Sequence, residues 1–182
     1  DDVRRACGCY LVITEEDVKV FADATINIDP DADTLCEIAL LAAELARDLG
    51  IEPRLALLSF SNFGDAPHPS SRRVARAVER VRARAPDLMV DGEMQADVAL
   101  SEKARAPYPF STLEGSANVL VFPSLDAGNV AYKLLSALGS EVIGPVVMGM
   151  RQPVNVLQQG ASVSTIVHMT SLTVAHAVRL DR

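Results

Sequence analysis

Strands that are apolar from end to end, separated by helical stretches, do most to narrow what this chain can fold into. RLALLSF (54–60) and NVLVFP (118–123) show no alternation of polar and apolar residues. Such strands are buried on both faces, as in parallel sheets covered by helices on either side. Around them the period changes. PDADT supplies the cap-type residues Asp31, Asp33 and Thr34, and Leu35, Ile38, Ala42, Leu45 and Leu49 then recur at helical spacing before Gly50. Leu40, Leu41 and Ala43 widen that apolar face, so the helix is either buried on two sides or part of an oligomer contact.

The same alternation runs along the chain. CGCYLVI (7–13) and VKVFADATI (18–26), joined by TEED, suggest a hairpin. Ser70 or Ser71 can cap a helix reaching Arg84, LMV (88–90) reads as a short strand, and the later part of DGEMQADVALSEKARA reads as helix. DAGNVAYKLLSALG (126–139) is a helix with Val130, Leu134, Leu135 and Leu138 expected to face inward. EVIGPVVMGM (141–150) is a strand or strand pair with Gly144–Pro145 breaking it. A last helix begins near Ser162, with Val163, Ile166, Val167, Val174 and Val178 on one side. These segments spell a doubly wound α/β fold with a mostly parallel sheet and helices on both faces.

Composition limits the function classes. A net charge of −7 disfavours a general nucleic-acid binder. No run of about 18 apolar residues exists, so no membrane span is expected. Cys7, Cys9 and Cys36 make an odd number with no second pair, which suits reduced, buried thiols in a cytoplasmic protein better than a zinc site or a disulfide framework.

Ligands of open α/β sheets gather at the carboxyl ends of the strands, so three loops matter. SFSNFG offers Ser59, Ser61, Asn62 and Gly64, although taken alone it reads as a plain turn. PSLDAGN offers Asp126 as an N-cap, with Asn129 and Lys133 one turn apart, able to hold an anion or simply a capped helix with a surface lysine. PVNVLQQGASVSTIV (153–167) has a Gly in its middle and no charged side chain. Elsewhere, Asp91, Glu93 and Asp97 are expected to be solvated or capping acids rather than an acid/base pair. Arg72, Arg76, Arg80 and Arg84 form a stripe that is either solvent-facing or a phosphate contact. His68, His168 and His176 enter no metal spacing or triad, and neither G-x-x-x-x-G-K-S/T nor G-x-G-x-x-G occurs.

LALLSFSNFG, VDGEMQADVAL, ANVLVFPSLDAGNVAYKLL and IGPVVMGMRQPVNVL, in that order, resemble the phosphate acetyltransferase (phosphotransacetylase) family from about Val20 to Val178. SNFG and RAPDLMVDGEMQADVAL look closer to one branch, the transacetylase-like C-terminal domain of large bacterial malic enzymes, usually NADP-dependent. The resemblance implies two α/β halves of isocitrate/malate dehydrogenase-like build, with a cleft between them for coenzyme A. Residues 1–154 then look like the second half, and 155–182 like the segment that returns to the first.

Active transacetylases carry Ser-Arg-Gly-Cys-Ser in the last loop, followed by an Asp resembling a general base toward the thiol of coenzyme A. Aligned on Asn155, Leu157 and Gly160, the Ser and Arg positions hold Gln158 and Gln159, and the Cys position holds Ala161. Ser162 is kept, and the Asp position holds Thr165. A threonine cannot take the thiol proton, and a neutral Gln cannot balance developing charge as Arg does.

The resemblance therefore implies a regulatory, homo-oligomeric domain that binds acetyl-CoA or CoA without transferring the acetyl group. Its partner would be a malic-enzyme catalytic domain in the same parent chain, which uses NADP and a divalent metal. The alternative is a phosphate acetyl/butyryltransferase drawing its base from Asp91, Asp97 or Asp126. A ligand-free interaction module would leave the three loops as mere turns.

Overall fold

The computed structural model describes residues 5–157 and 159–180; the side chains of 179 and 180 are not described. The elements in chain order are β1 (Cys7–Ile13), β2 (Val18–Ala22), α1 (Ala32–Asp48), β3 (Arg54–Leu58), α2 (Pro69–Arg84), β4 (Met89–Met94), α3 (Ala96–Leu100) and α4 (Glu102–Arg105). After them come β5 (Val119–Val121), α5 (Leu125–Ala137), β6 (Glu141–Met148), β7 (Val154–Asn155) and α6 (Val163–Leu180). The strands form one sheet in the order β4-β3-β5-β2-β1-β6-β7. β4, β3, β5 and β2 pair in parallel, while β1 pairs antiparallel with both β2 and β6, and β7 antiparallel with β6. Five strands thus point one way, and only β1 and β7 oppose them.

Both faces of the sheet are covered. Leu55 and Leu57 of β3 join Val20, Val119 and Val121 in a cluster with α1 and α2, whereas Ala56 and Leu58 join Leu120 and Phe122 in a second cluster with α3 and α5. Alternate residues of one strand enter two different cores, which is why the strand sequences lack a polar face. The doubly wound arrangement expected from them is present. α2 carries the chain from β3 to β4 on one face, and α5 carries it from β5 to β6 on the other.

Several local expectations need correction. Met89–Met94 is one strand, so Asp91 and Glu93 lie within β4 rather than after it. Gly144–Pro145 does not break β6: the strand runs through, and β1 absorbs the irregularity as a register shift between Cys9 and Leu11. A Cβ on Gly144, whose φ is +144°, would stand 2.8 Å from the Tyr10 ring, so only glycine fits this crossing.

Neither Ser70 nor Ser71 caps α2. His68 is the N-cap, its Nδ1 accepting from Ser70 N at 3.1 Å, with Pro69 opening the helix and Ser71 closing a capping box. Likewise Ser124, not Asp126, caps α5. Asp31 does cap α1, accepting from Thr34 N at 2.8 Å. Its hydrogen bonds with Thr34 hold the carboxyl below the usual range, so this support is present above ordinary carboxylate pKa values and lost as pH falls through the lowered one.

The inward faces of three helices also differ from expectation. α1 is buried on two sides within the chain, against the sheet and α2, the first of the two roles its wide apolar face allowed. α5 turns Val130, Leu134 and Leu138 outward, at 56%, 57% and 82% exposure. Of the four residues expected inward only Leu135 packs on the core, beside Gly128 and Tyr132, and a Cβ on Gly128 would meet the Asp23 carbonyl at 2.6 Å, so the helix start approaches the β2 end closely. α6 likewise exposes Val163, Ile166, Val167, Val174 and Val178, and buries Met169 in the main core.

Candidate functional site

The polar residues singled out in the sequence fall into two kinds of arrangement: networks closed on themselves, and a pocket open to solvent. The loop after β3 is closed. Glu93, 3% exposed, accepts from Ser61 Oγ (3.0 Å) and Gly64 N (2.8 Å) through one carboxylate oxygen. Its carbonyl accepts from Phe63 N (2.8 Å), and Asn62 Oδ1 accepts from Gln95 N (2.8 Å). Ser59 Oγ accepts from Ser61 N at 3.3 Å. The short polar residues of SFSNFG are therefore occupied in fastening their own loop to β4. Phe63, Tyr108 and Phe110 pack over its outer side.

Asp91 is closed as well. It is 3% exposed and accepts from Arg82 Nη2 (2.7 Å), Ser111 Oγ (2.6 Å) and Thr112 N (2.7 Å), tying β4 to α2 and to the 108–117 loop. Asp91 and Glu93 are thus buried organisers, not solvated acids, while Asp97 is exposed in the first turn of α3. In the arginine stripe, Arg80 pairs with Asp33 (3.0 Å) and Arg84 approaches Glu37 (4.0 Å), so half of it bridges α2 to α1.

The strongest cluster was invisible in the sequence. Asp23, 2% exposed at the end of β2, accepts from Gly8 N, Thr25 N, Ile26 N, Asn27 N and Asn27 Nδ2 at 2.6–3.1 Å. It shapes the 23–31 loop, against which α5 seats: Asn129 Nδ2 donates to the Ala24 carbonyl at 3.3 Å. Arg73 of α2 pairs with Asp29 and donates to the Pro123 carbonyl at 3.1 Å, joining this loop to the end of β5. No sequence motif marks Asp23, because its donors come from β1 and from its own turn.

The open pocket, about 240 Å³, lies at the other end of the sheet. Gln159, Gly160, Ala161, Ser162 and Thr165 form one wall. Tyr10, Tyr132, Ser136, Val142 and Gly144 form the other. Tyr10 and Tyr132 stack with ring centroids 3.8 Å apart, giving a rigid side. Ser162 Oγ accepts from Thr165 N (3.1 Å) and lies 2.9 Å from Thr165 Oγ1, capping α6 at the pocket's mouth. Gly160 has φ +85° and nothing within 4 Å of where a Cβ would be.

The twelve sequence-picked residues are therefore dispersed. Gln159, Gly160, Ser162 and Thr165 share the pocket, and Gln158 lies outside the described residues. Asn155 is structural, accepting from Val147 N (3.1 Å) and donating to Thr173 Oγ1 (2.7 Å). Ser59, Ser61, Asn62 and Gly64 follow β3, four strand spacings from β6, roughly 19 Å away at about 4.8 Å each. Lys133 lies on the exposed side of α5, its Nζ 5.5 Å from the Tyr132 ring centroid. Tyr10, Tyr132 and Ser136 were missed, since only the fold brings β1 and α5 to the 159–165 loop.

Among the described residues the pocket lining contains no carboxylate, imidazole, thiol, lysine or arginine. The thiols lie elsewhere and are inert. Cys7 and Cys9 touch at 3.7 Å, and that contact together with burial pushes the Cys7 thiol well up; burial raises Cys36. Among the described residues no group of three or more metal-ligating side chains occurs, and no helix is long and apolar enough to cross a membrane.

Fold and site together define a doubly wound α/β domain with a small pocket, uncharged among its described residues, between its antiparallel edge and its last helix. The chain belongs to the phosphate acetyl/butaryl transferase family, whose model matches residues 1–174. It is 52% identical over 180 residues to the NADP-dependent malic enzyme of Escherichia coli (strain K12), covering 97% of this chain and 24% of that protein. It is 41% identical to the phosphate acetyltransferase of Bacillus subtilis (strain 168), covering 98% and 56%. The solved EutD phosphotransacetylase from Staphylococcus aureus superimposes with a TM-score of 0.92 at 37% identity, covering 97% and 55%. The chain thus spans about a quarter of that malic enzyme and a little over half of these two transacetylases.

Proposed function

We propose that this chain is the regulatory transacetylase-like module of a longer NADP-dependent malic enzyme. In this reading a separate catalytic domain, using NADP and a divalent metal, converts malate to pyruvate and CO2. The present domain binds acetyl-CoA as an allosteric effector without acetyl transfer. The observation that carries it is the pocket under the 159–165 loop, with no acid–base group among the described residues of its lining. The 52% identity to a malic enzyme of which this chain covers only 24% supports a multidomain parent. Residues 155–182 belong, in the same reading, to the other half of the transacetylase unit, to which α6 would turn its outward apolar face. Homo-oligomeric assembly is part of this reading too, and sedimentation of the full-length protein checks it.

The test is calorimetric titration of acetyl-CoA into the full-length protein and into a Ser136→Trp variant. Ser136 is exposed on α5 and lines the pocket, so the indole fills the pocket without entering the core. Saturable binding that weakens by about tenfold or more in the variant is expected, a difference of roughly 1.4 kcal/mol. Equal binding in both would move the effector elsewhere, and no binding in either would end the effector reading.

The second reading, a phosphate acetyl/butyryltransferase, is favoured by the 41% identity to a phosphate acetyltransferase over 56% of its length. Its base would have to come from outside the pocket lining. Asp91 is fully engaged with Arg82, Ser111 and Thr112, and Asp97 and Asp126 are exposed side chains that do not line the pocket.

A further inference from the structure

We propose that Cys7 and Cys9 form a redox-sensitive latch: hydrogen peroxide oxidises the two thiols to an intrachain disulfide, and the bridge releases the 23–31 loop that the reduced strand holds. This goes beyond the effector reading and holds whichever ligand the pocket takes. Both side chains enter the main core from the same face of β1, fully buried, with their Sγ atoms 3.7 Å apart. Cys36, the third thiol, lies on α1 with Arg84 Nη1 at 3.9 Å and takes no part. The pair is inert while β1 is closed, because the contact with Cys9 and burial hold the Cys7 thiol protonated. It becomes reactive when the start of the strand opens.

The reduced pair fits an extended strand and the oxidised pair does not. Side chains two residues apart on a strand are rooted roughly 6.6 Å from each other, twice the rise per residue. A disulfide holds its Cβ atoms at about 3.5–4.5 Å and its sulfurs at about 2 Å. Closing the bridge therefore bends the backbone at the residue between, Gly8, and Gly8 is where β1 is tied to the loop. Its N–H donates to Asp23 Oδ1 (3.1 Å), and its carbonyl accepts from Ala24 N (3.1 Å). Beside it the Ala6 carbonyl accepts from Asn27 Nδ2 (2.9 Å). Thr25 packs so close that a Cβ on Gly8 would stand 2.6 Å from its Cβ, so the strand cannot bend there without moving the loop. The loop in turn seats α5 through Asn129, and Tyr10, the residue after Cys9, stacks on Tyr132 of that helix. A bend at Gly8 thus reaches the tyrosine wall of the pocket.

The step balances with hydrogen peroxide as the oxidant. One sulfur attacks the O–O bond, giving a sulfenic acid and water. The second sulfur displaces the sulfenic hydroxyl, closing the S–S bond and releasing a second water. The two thiols give up two electrons to the peroxide, and both their protons end in water. A dithiol reductant reverses the bridge by exchange.

The experiment treats the full-length protein with hydrogen peroxide, follows amide hydrogen exchange, and then counts free thiols by alkylation after unfolding with peptide mass mapping. The peptide holding Cys7 and Cys9 is expected to lose two hydrogens and take no alkylating reagent, while Cys36 stays alkylatable. Exchange across 23–31 is expected to quicken by about tenfold or more, the sign of local opening, and dithiothreitol should restore it. In Cys9→Ser, peroxide should leave that exchange unchanged. Cys7 and Cys9 still alkylatable after peroxide, a bridge that leaves exchange across 23–31 as it was, or an equal response in Cys9→Ser would each overturn the inference.

Discussion

Replacing Asp23 with Ala is expected to destabilise the protein by about 3 kcal/mol, because one buried carboxylate holds five donors at once. Gly8 N, Thr25 N, Ile26 N and Asn27 N all lose their acceptor, and Gly8 N, whose bond is buried, is left without one inside the fold. The Asn27 side chain loses one of its two anchors, keeping only the Ala6 carbonyl. For a domain of this size such a loss lowers the thermal midpoint by roughly 6–12 °C. Asp23→Asn, which keeps an acceptor oxygen, should lose less. Denaturant unfolding of the full-length variants measures both. A loss in Asp23→Ala under about 1 kcal/mol, the size of an ordinary substitution, would mean that the loop re-forms around other acceptors.

The second large effect is a missing rate. Acetyl transfer between coenzyme A and phosphate by the full-length protein is expected to run at least about 10²-fold below active family members, since a positioned base alone contributes about 10²–10⁴-fold. Thr165 occupies the position where the family resemblance places that base. Its hydroxyl is engaged with Ser162, and among the described residues no carboxylate, imidazole or thiol lines the pocket to replace it. Coenzyme A release from acetyl-CoA and phosphate is the assay. A rate near that of an active phosphate acetyltransferase would overturn the regulatory reading in favour of the enzyme. The paired substitution Gln159→Arg with Thr165→Asp asks whether the rest of the site survives, and a measurable gain would show that only these two positions hold it silent.

The fold was legible where burial alone decides the residue. β3 and β5 read as two-sided strands because every position enters one of two cores, and α1 read as a greasy helix because sheet and α2 enclose it. Legibility failed where a close approach, not hydrophobicity, sets the orientation. α5 turns Val130, Leu134 and Leu138 to solvent because Gly128 must sit against the Asp23 carbonyl, and nothing in DAGNVAYKLL states that distance. The caps failed for a similar reason, His68 being an unusual choice that only the Nδ1 contact reveals.

The candidate site divides the same way. Its loop, Gln159 to Thr165, could be found along the chain, since glycine, helix start and loss of charge are contiguous there. Its facing wall could not, because Tyr10, Tyr132 and Ser136 come from β1 and α5. Ser61, Asn62 and Gly64 look like ligand residues in sequence, and the fold spends them on Glu93 and Gln95, some 30 positions away.

The run of β6 through Gly144–Pro145 bears on how molecules of this protein keep apart. β7 reaches only Val146 and Val147, so the first half of the eight-residue β6 stands at the rim of the sheet. An open rim invites another chain to add a strand and begin an aggregate. Pro145 removes one donor from that rim, and the offset opposite Tyr10 spoils the flat spacing a foreign strand would need. The feature that looked in sequence like a broken strand is thus a guard on one open stretch of the sheet's border, built into the same turn of backbone that leaves room for the tyrosine wall.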